Sequence, residues 1–494
     1  MEKIIIFNPA TQEKVAEVPI FSQEMVIETV KKAKEAQKSW GCLELKERIK
    51  YLKSFQKYIR ENHEEFIRVI QSETGKVWHE AMIEILYIAM AIDHWTKNAE
   101  GYLSEKIKPH WLLMNKECES IYHPKPVVVI IGPWNLPLDL NFGEAIPALV
   151  AGCCVILKPS SQTPLTSLYA AEVCQKLGFP EGVVQVVTGP GSGKATQELI
   201  KLADKVAFTG SVKTGQMVTK TCLEACRETE KFTFPSLELG GKTPFIILKD
   251  ANLERASNCA VWNAFANCGH YCKSAERVYV MNEIYDEFVD RVVKKTKNLR
   301  LGIDYGPVIT AFQLEKIREQ VADAIAKGAK VLCGGEKASR PKGRWFDPMV
   351  LVNVNHAMKI MKEETFGPLL PIVKVFSPKE ALTLANDSPL GLNGVIFSKN
   401  TREAKKIAKD LQVGVVTIND AMTNYMIIGA PQGGVKLSGF GRRHGREGIQ
   451  KYCEQKTIET HKWNWPGFKN REFWWFPFTN FTKKIFKLML RAFR

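Results

Sequence analysis

The sequence predicts an α/β fold built from two parallel-sheet domains, and three observations carry that prediction. The chain has 494 residues, more than one hydrophobic core usually accommodates. From Val127 onward, short apolar runs alternate with helical stretches, the pattern of a parallel sheet with helices on both faces. A second series of the same kind runs from Gly240 to about Gly441. Composition agrees: 45% hydrophobic and 25% charged residues describe an ordinary soluble globular protein.

Other classes are excluded early. The apolar run in Met1–Pro9 is too short for a signal peptide, and no segment offers the roughly 18–20 uninterrupted apolar residues of a spanning helix. Twelve cysteines are dilute in a chain this long and show no metal-ligand spacing. Cys222 and Cys226 share a helix face without a second pair, so reduced cytoplasmic thiols and no metal are expected. The formal net charge of +16 points to an acidic partner: nucleic acid, anionic lipid or a phosphorylated cofactor. No nucleic-acid module accompanies it, and no nucleic-acid partner is expected.

Residues 22 to 100 read as three helices. Lys46–Ile70 places Ile49, Leu52, Phe55, Ile59, Phe66 and Ile70 at three- and four-residue steps. Residues 103 to 124 are polar and mixed, bounded by Pro109 and Pro124. Next come candidate buried strands at Val127–Ile131, Cys154–Leu157, Val183–Val187 and Lys205–Phe208, with helices over 141–151, 165–177, 193–201 and 212–226 between and after them. The second block holds strands near 244–248, 277–281, 370–376, 394–397 and 414–418, and helices near 252–267, 283–298, 311–327 and 401–411. Of two glycine-rich turns, Gly189–Lys194 has Lys at the third glycine of a dinucleotide fingerprint and lacks the Ser/Thr of a P-loop, so it reads as a plain strand-to-helix turn. Phe208–Gly215 is the better phosphate candidate, since a strand ends at a glycine and a helix begins; a simple Ser211-capped helix reads equally well.

The chemistry gathers around Cys272, which closes Phe265-Ala266-Asn267-Cys268-Gly269-His270-Tyr271-Cys272. A cysteine alone is usually a small buried hydrophobe, and a glutamate alone a solvated or salt-bridged surface group. Here a lone carboxylate, Glu238, precedes Gly240-Gly241, and an amide, Asn135, stands in Gly132-Pro133-Trp134-Asn135-Leu136-Pro137. A thiolate nucleophile needs a base and a donor for the oxyanion it creates, and these residue types supply both.

These stretches, followed through Lys158-Pro159-Ser160, Phe208–Ser211, Glu363–Pro368 and Gly439–Arg442, resemble the aldehyde dehydrogenase superfamily in that order, from about residue 5 to about 460. The resemblance implies an NAD(P)-binding domain over 1–102 and 125–239 and a catalytic domain over 240–441, both Rossmann-like. It also implies an oligomerisation arm from 103–124 and 442–462, and a homodimer or homotetramer. It implies that Cys272 attacks an aldehyde, that Asn135 and the Cys272 N–H hold the oxyanion, and that Glu238 activates water to release an acid. For the cofactor, NAD or NADP, Lys158 would bond the adenosine ribose and Glu364 the nicotinamide ribose, with Phe366 beside the nicotinamide. Pro133, Trp134, Ser160, Ser161, Gly210, Ser211, Gly215 and Leu239 complete the expected cofactor site.

Three positions depart from the family pattern, and a fourth, Cys268, is of separate interest. Ser161 stands where many NAD-preferring relatives carry an acid, which removes repulsion against a 2′-phosphate. His270 replaces a common glutamine and is expected to pack or cap. Arg446 falls where some relatives carry a proton-relay glutamate, so that role is not transferred. Cys268 is a candidate oxidation partner for Cys272. Beyond about residue 462 the family pattern stops. Lys462–Arg494 carries eight basic residues against Glu472 and is crowded with aromatics. Phe481–Arg494 reads as an amphipathic helix with Lys483, Lys487, Arg491 and Arg494 opposite Phe481, Ile485, Met489 and Phe493. Such a tail suits an anionic membrane surface, and the alternative is that its aromatics pack on the body or a sister subunit. Hence the expected reaction is oxidation of a long-chain or lipid-derived aldehyde by a cytoplasmic protein lying peripherally on membrane. The alternatives are a coenzyme A-acylating or small-semialdehyde dehydrogenase, and a non-catalytic protein on the same scaffold.

Overall fold

A computed structural model describes every residue of the chain except Met1, Glu230, Ala338 and Arg494. A hairpin of β1 (Lys3–Phe7) and β2 (Lys14–Pro19) leads into four helices rather than three: α1 (Gln23–Trp40), α2 (Leu45–Glu61), α3 (His63–Thr74) and α4 (Trp78–Leu103). Ser22 starts α1 by accepting the Met25 N–H, a donor that the first turn cannot satisfy itself. The single helix expected through Lys46–Ile70 breaks at Asn62, whose φ of −119° and ψ of 30° leave the helical region while its amide donates to the Tyr58 carbonyl. Leu52, Phe55, Ile59, Phe66 and Ile70 nevertheless enter one core, so the apolar periodicity runs through the break and conceals it.

The first large sheet takes five parallel strands: β5 (Val127–Ile131), β6 (Cys154–Lys158), β7 (Val184–Val186), β8 (Lys205–Gly210) and β9 (Pro235–Leu239). Their crossovers carry α5 (Glu144–Ala151), α6 (Leu165–Lys176), α7 (Lys194–Leu202) and α8 (Val212–Glu228). They adjoin in the order β9-β8-β5-β6-β7, so the winding reverses between β5 and β8. In open parallel sheets the crevice at the carboxyl ends beside such a reversal is where ligands bind.

The second sheet has the order β12-β13-β14-β11-β10-β16-β17. Its strands are β10 (Thr243–Ile247), β11 (Ala275–Met281), β12 (Lys330–Gly335), β13 (Asp347–Val352), β14 (Leu369–Val375), β16 (Asn393–Phe397) and β17 (Val415–Ile418); only β12 runs antiparallel to its neighbour. Its helices are α9 (Leu253–Phe265), α10 (Tyr285–Lys297), α11 (Ala311–Ala326), α12 (Lys359–Lys362), α13 (Pro378–Asn386) and α14 (Thr401–Asp410). Successive strand residues go to opposite cores: Phe245 and Ile247 to one, Ile246 and Leu248 to the other. The sequence reading lacks β12, β13, α12 and α13. β12 is a partly exposed edge strand closing on two glycines, and β13 carries a proline at its second position, so neither forms a clean apolar run.

β3 (Ser104–Ile107), β4 (Lys116–Pro124) and β20 (Cys453–His461) form a separate antiparallel sheet in the order β20-β4-β3. Residues 442–452, grouped with this arm on sequence grounds, return instead to the body. β15 (Leu390–Gly391) pairs with β18 (Val435–Lys436), β19 (Gly439–Phe440) adds antiparallel to the edge of β9, and α15 (Gly445–Gln450) follows. His444 is buried there against the Tyr87 hydroxyl of α4, 2.8 Å away.

The tail divides into two environments. Phe468 and Phe473 are buried, and buried Glu472 meets Asn115 at 2.9 Å and Lys116 at 3.0 Å, so this half folds onto the arm. Trp475, Phe476 and Phe478 remain exposed. In α16 (Asn480–Ala492) Thr482 is buried and Ile485 and Met489 half-buried. Phe481, Leu488, Leu490 and Phe493 are exposed beside Lys483, Lys487 and Arg491. The expected apolar face is therefore split by contact with the body, and Arg494 lies outside the described residues. Among those residues no helix is long and apolar enough to cross a membrane.

Candidate active site

Asn252 caps α9 by accepting the Arg255 N–H, and after Phe265 the chain abandons helical geometry. Asn267, Cys268 and Gly269 take φ values of 51°, 54° and 72°, a left-handed run that ends the helix and leads to Cys272 just before β11. Two of the three have side chains, which resist this conformation, so the turn needs outside support. The Asn267 N–H donates to Glu80 and its side-chain amide donates to the Asn135 carbonyl at 3.1 Å. At Gly269 a Cβ would lie 2.2 Å from the Gly367 carbonyl oxygen, so only glycine lets the Cys272 loop press against the loop bearing Glu364.

Asn135 sits in the turn after β5. Its side-chain amide donates to the His270 carbonyl at 2.6 Å, which ties this turn to the Cys272 loop. A buried ammonium, Lys76, donates to the Asn135 carbonyl at 2.9 Å and pairs with Glu84 at 2.6 Å; Glu84 in turn accepts the Leu138 and Asp139 N–H groups. His270 is fully buried, and burial, with the Lys76 charge, drives it down to about 3, so it is a neutral ring. It packs edge-to-face on Trp134 with centroids 4.9 Å apart, and Trp134 meets Phe366 the same way at 5.3 Å.

Glu238 lies on β9, paired with Thr209 of β8 on one side and Gly439 of β19 on the other. Burial pushes its carboxyl up to about 7, and its buried Oε1 has no hydrogen-bond partner among the described residues. Half-buried Cys272 is pushed up to about 12 by burial, opposed first by the Lys273 charge and reinforced by Glu364 and Glu238. The resting centre is thus a neutral thiol beside a carboxyl poised near neutrality.

One cavity of about 550 Å³ is lined by Cys272, Glu238 and Asn135 together with Pro133, Trp134, Lys158, Ser160, Ser161, Gly210, Ser211, Leu239, Glu364 and Phe366. Gly215 does not line it. A Cβ there would come within 2.7 Å of the Leu239 side chain, so its place is the contact of α8 with β9. The Lys158 ammonium donates to the Pro159 and Gly189 carbonyls at 2.9 and 2.8 Å, and burial lowers it to about 8. Ser211 caps α8 by accepting the Thr214 N–H, so the amino end of a long helix opens on the cavity. Glu364 accepts the Gly241 N–H at 2.9 Å and is raised to about 7 by burial and by Glu276. Phe366, at φ 52°, is held by Glu276, which accepts the Thr365 and Phe366 N–H groups at 2.8 Å each and pairs with buried Lys242 at 2.7 Å.

Several of these supports were invisible in the sequence. Glu80 and Glu84 belong to a segment read only as helical, and Lys76 lies in the short connection between α3 and α4. Lys242 stands inside a motif whose other residues drew attention, and Lys273 falls just past the end of the Phe265–Cys272 stretch. Arg446 pairs with Glu105 of the arm at 2.9 Å. Three residues earlier, Arg443 enters the interior, 3.0 Å from both Asp139 and Glu144 and 5.8 and 5.4 Å from the Tyr87 and Tyr425 ring centroids.

Residues 1–458 match the model of the aldehyde dehydrogenase family. The chain belongs to the aldehyde dehydrogenase family. It is 34% identical over 465 residues to the succinate-semialdehyde dehydrogenase [NADP(+)] of Escherichia coli, covering 92% of this chain and 94% of that protein. It is 33% identical over 481 residues to the chloroplastic betaine aldehyde dehydrogenase of Beta vulgaris, covering 94% and 95% respectively. The solved betaine aldehyde dehydrogenase of Staphylococcus aureus, in complex with NAD+, superposes with a TM-score of 0.86 at 32% identity, covering 93% of this chain and 92% of that one. This chain shares its α/β fold with that solved structure.

Proposed function

We propose that this family member oxidises a small polar aldehyde to its carboxylic acid with NAD or NADP. The observation that carries the reading is one cavity lined at once by a thiol, a carboxyl raised to near 7, an amide donor and the residues of a dinucleotide cradle. The cofactor fits that cradle: a helix amino end for phosphate, an ammonium held only by carbonyls at Lys158, and a carboxylate at Glu364 for ribose hydroxyls. When bound, it supplies the acceptor for the substrate's hydride.

The chain's own residues then divide the work. Cys272 adds through sulfur to the aldehyde carbon as its proton passes to Glu238, and the new oxyanion is held by Asn135 and the Cys272 N–H. Removing one such donor costs about 10²–10³ in kcat. The acyl group is next held as a thioester on Cys272. Glu238, deprotonated again, takes a proton from water, which attacks the thioester carbon; the C–S bond breaks and the carboxylate leaves. A buried carboxyl serving this step favours hydrolysis over transfer to coenzyme A. In this reading the β5–β9 sheet block binds cofactor, the block of β10–β17 presents the nucleophile, and the exposed β20-β4-β3 sheet joins copies as a dimer or tetramer.

Small polar substrates are favoured by the named relatives, a succinate-semialdehyde and a betaine aldehyde dehydrogenase. A second reading, a lipid-derived aldehyde met at an anionic membrane, rests on the exposed Phe476, Phe478, Leu488 and Leu490 beside basic residues. Reduced-cofactor absorbance over semialdehydes and alkanals of rising length decides between them: turnover that climbs with chain length overturns the first. Ser161 should tolerate a 2′-phosphate, so Ser161→Glu is expected to raise KM for NADP at least about tenfold and leave NAD little changed. A wild-type penalty against NADP above about a thousand-fold, roughly 4 kcal/mol, would remove that expectation.

A further inference from the structure

Lys273 directly follows the nucleophile and takes no part in the mechanism above. It is 5% exposed, yet its long side chain ends on neutral groups. Its ammonium donates to the Asn424 and Gln432 side-chain oxygens and lies over the Tyr425 ring at 5.2 Å. Both amides are locked in that orientation. Asn424 donates its NH2 to Asn393 at 3.0 Å and Thr417 at 2.6 Å, and Gln432 donates to the Asn424 carbonyl at 3.1 Å. Asn263 fixes the Lys273 backbone by donating to its carbonyl at 3.2 Å.

Most of the neighbouring buried cations are matched by carboxylates: Lys76 has Glu84, Lys242 has Glu276, Arg443 has Asp139 and Glu144, and Lys451 has Glu144. Lys158, held by two carbonyls in the cavity wall, is another exception. Among the described residues Lys273 pairs with no carboxylate at ion-pair distance. Cys272, Glu238, Glu364, Arg443, His444 and Tyr425 are charged or titratable groups around the same centre, and burial lowers Lys273 itself to about 8. Neutral oxygens alone leave part of the cost of burying an ammonium unmet, and a negative charge forming near Lys273 would offset it.

We infer that Lys273 is an electrostatic positioning residue, the buried counter-charge for the Cys272 thiolate and for the oxyanion that follows attack. The inference rests on Cys272 being the nucleophile. Two amides rather than a carboxylate suit this purpose, because they hold the ammonium without cancelling its charge.

The test is the pH dependence of Cys272 alkylation by iodoacetamide in the full-length protein, followed as the mass of the Cys272 peptide, in wild type, Lys273→Met, Lys273→Gln and Lys273→Arg. Turnover of Cys272→Ala is measured beside it. An opposite charge nearby shifts an ionisation by about one unit or more, so Lys273→Met and Lys273→Gln should alkylate about tenfold more slowly at a pH below the midpoint. Lys273→Arg should recover most of the rate. Lys273→Gln keeps a hydrogen-bonding end for its two partners and gives the same answer if the methionine variant fails to fold. A neutral variant that binds cofactor normally and whose alkylation profile overlays wild type overturns the role of Lys273, with Cys272→Ala inactive. Turnover in Cys272→Ala would instead overturn the nucleophile itself.

Discussion

Two properties of Glu238 pull in opposite directions. As a base it must be ionised, yet burial lifts its carboxyl from 4.5 to about 7. The folded protein therefore holds a proton that the unfolded chain releases. The stabilising contribution of this group is complete below about pH 4.5 and is lost as pH rises through about 7. Turnover should climb over the same interval in which that contribution falls. Glu238→Gln should abolish hydrolysis and raise Tm at pH 8 relative to wild type, with little effect at pH 5. A Glu238→Gln protein no more stable than wild type at pH 8 would contradict the burial cost. Cys272, Glu238 and Asn135, nominated from the sequence as a thiol, a carboxyl and an amide in separate motifs, line one cavity. Lys76, Glu84, Lys242 and Glu276 were not legible in the sequence, since a charged residue is ordinarily solvated and only the fold reveals that these are buried and paired.

At the scale of elements, the Cys272 loop is the part most exposed to steric damage. Gly269→Ala would drive a methyl group into the Gly367 carbonyl at a positive φ, at a cost of about 1–3 kcal/mol. The expected outcome is a lower Tm together with loss of activity, because the same shift moves Cys272 away from Glu364; unchanged activity would contradict the contact. The helices and inner strands were legible from periodicity, whereas the break at Asn62 and the edge strand β12 were not, one masked by a continuous apolar face and the other too exposed to show one. The tail was half legible. Its aromatics were evident, but which of them pack depends on Glu472 finding Asn115 and Lys116, residues more than three hundred positions away. If the remainder meets anionic lipid, Leu488→Ser with Leu490→Ser should lower co-sedimentation with phosphatidylserine vesicles several-fold, and equal pelleting would remove the membrane reading. Each basic side chain near such a surface contributes about 1 kcal/mol, so the effect should fade with added salt.

Over the whole molecule, the proposed function depends on two sheets meeting. The carboxyl ends of β5, β6, β8 and β9 bring the proposed cofactor residues and Glu238, while the second block brings Cys272, Glu364 and Phe366 to the same cavity. Sequence order conveyed both blocks, but not that residues 442–452 return to the interior, because a short glycine-rich segment has no periodicity to place it. The most direct test of the account is the mass of acid-quenched protein after mixing with aldehyde and NAD+. Glu238→Gln should trap one acyl group, located on the peptide bearing Cys272, and Cys272→Ala should carry none. Turnover in Cys272→Ala, or an acyl group on another cysteine, would contradict the account.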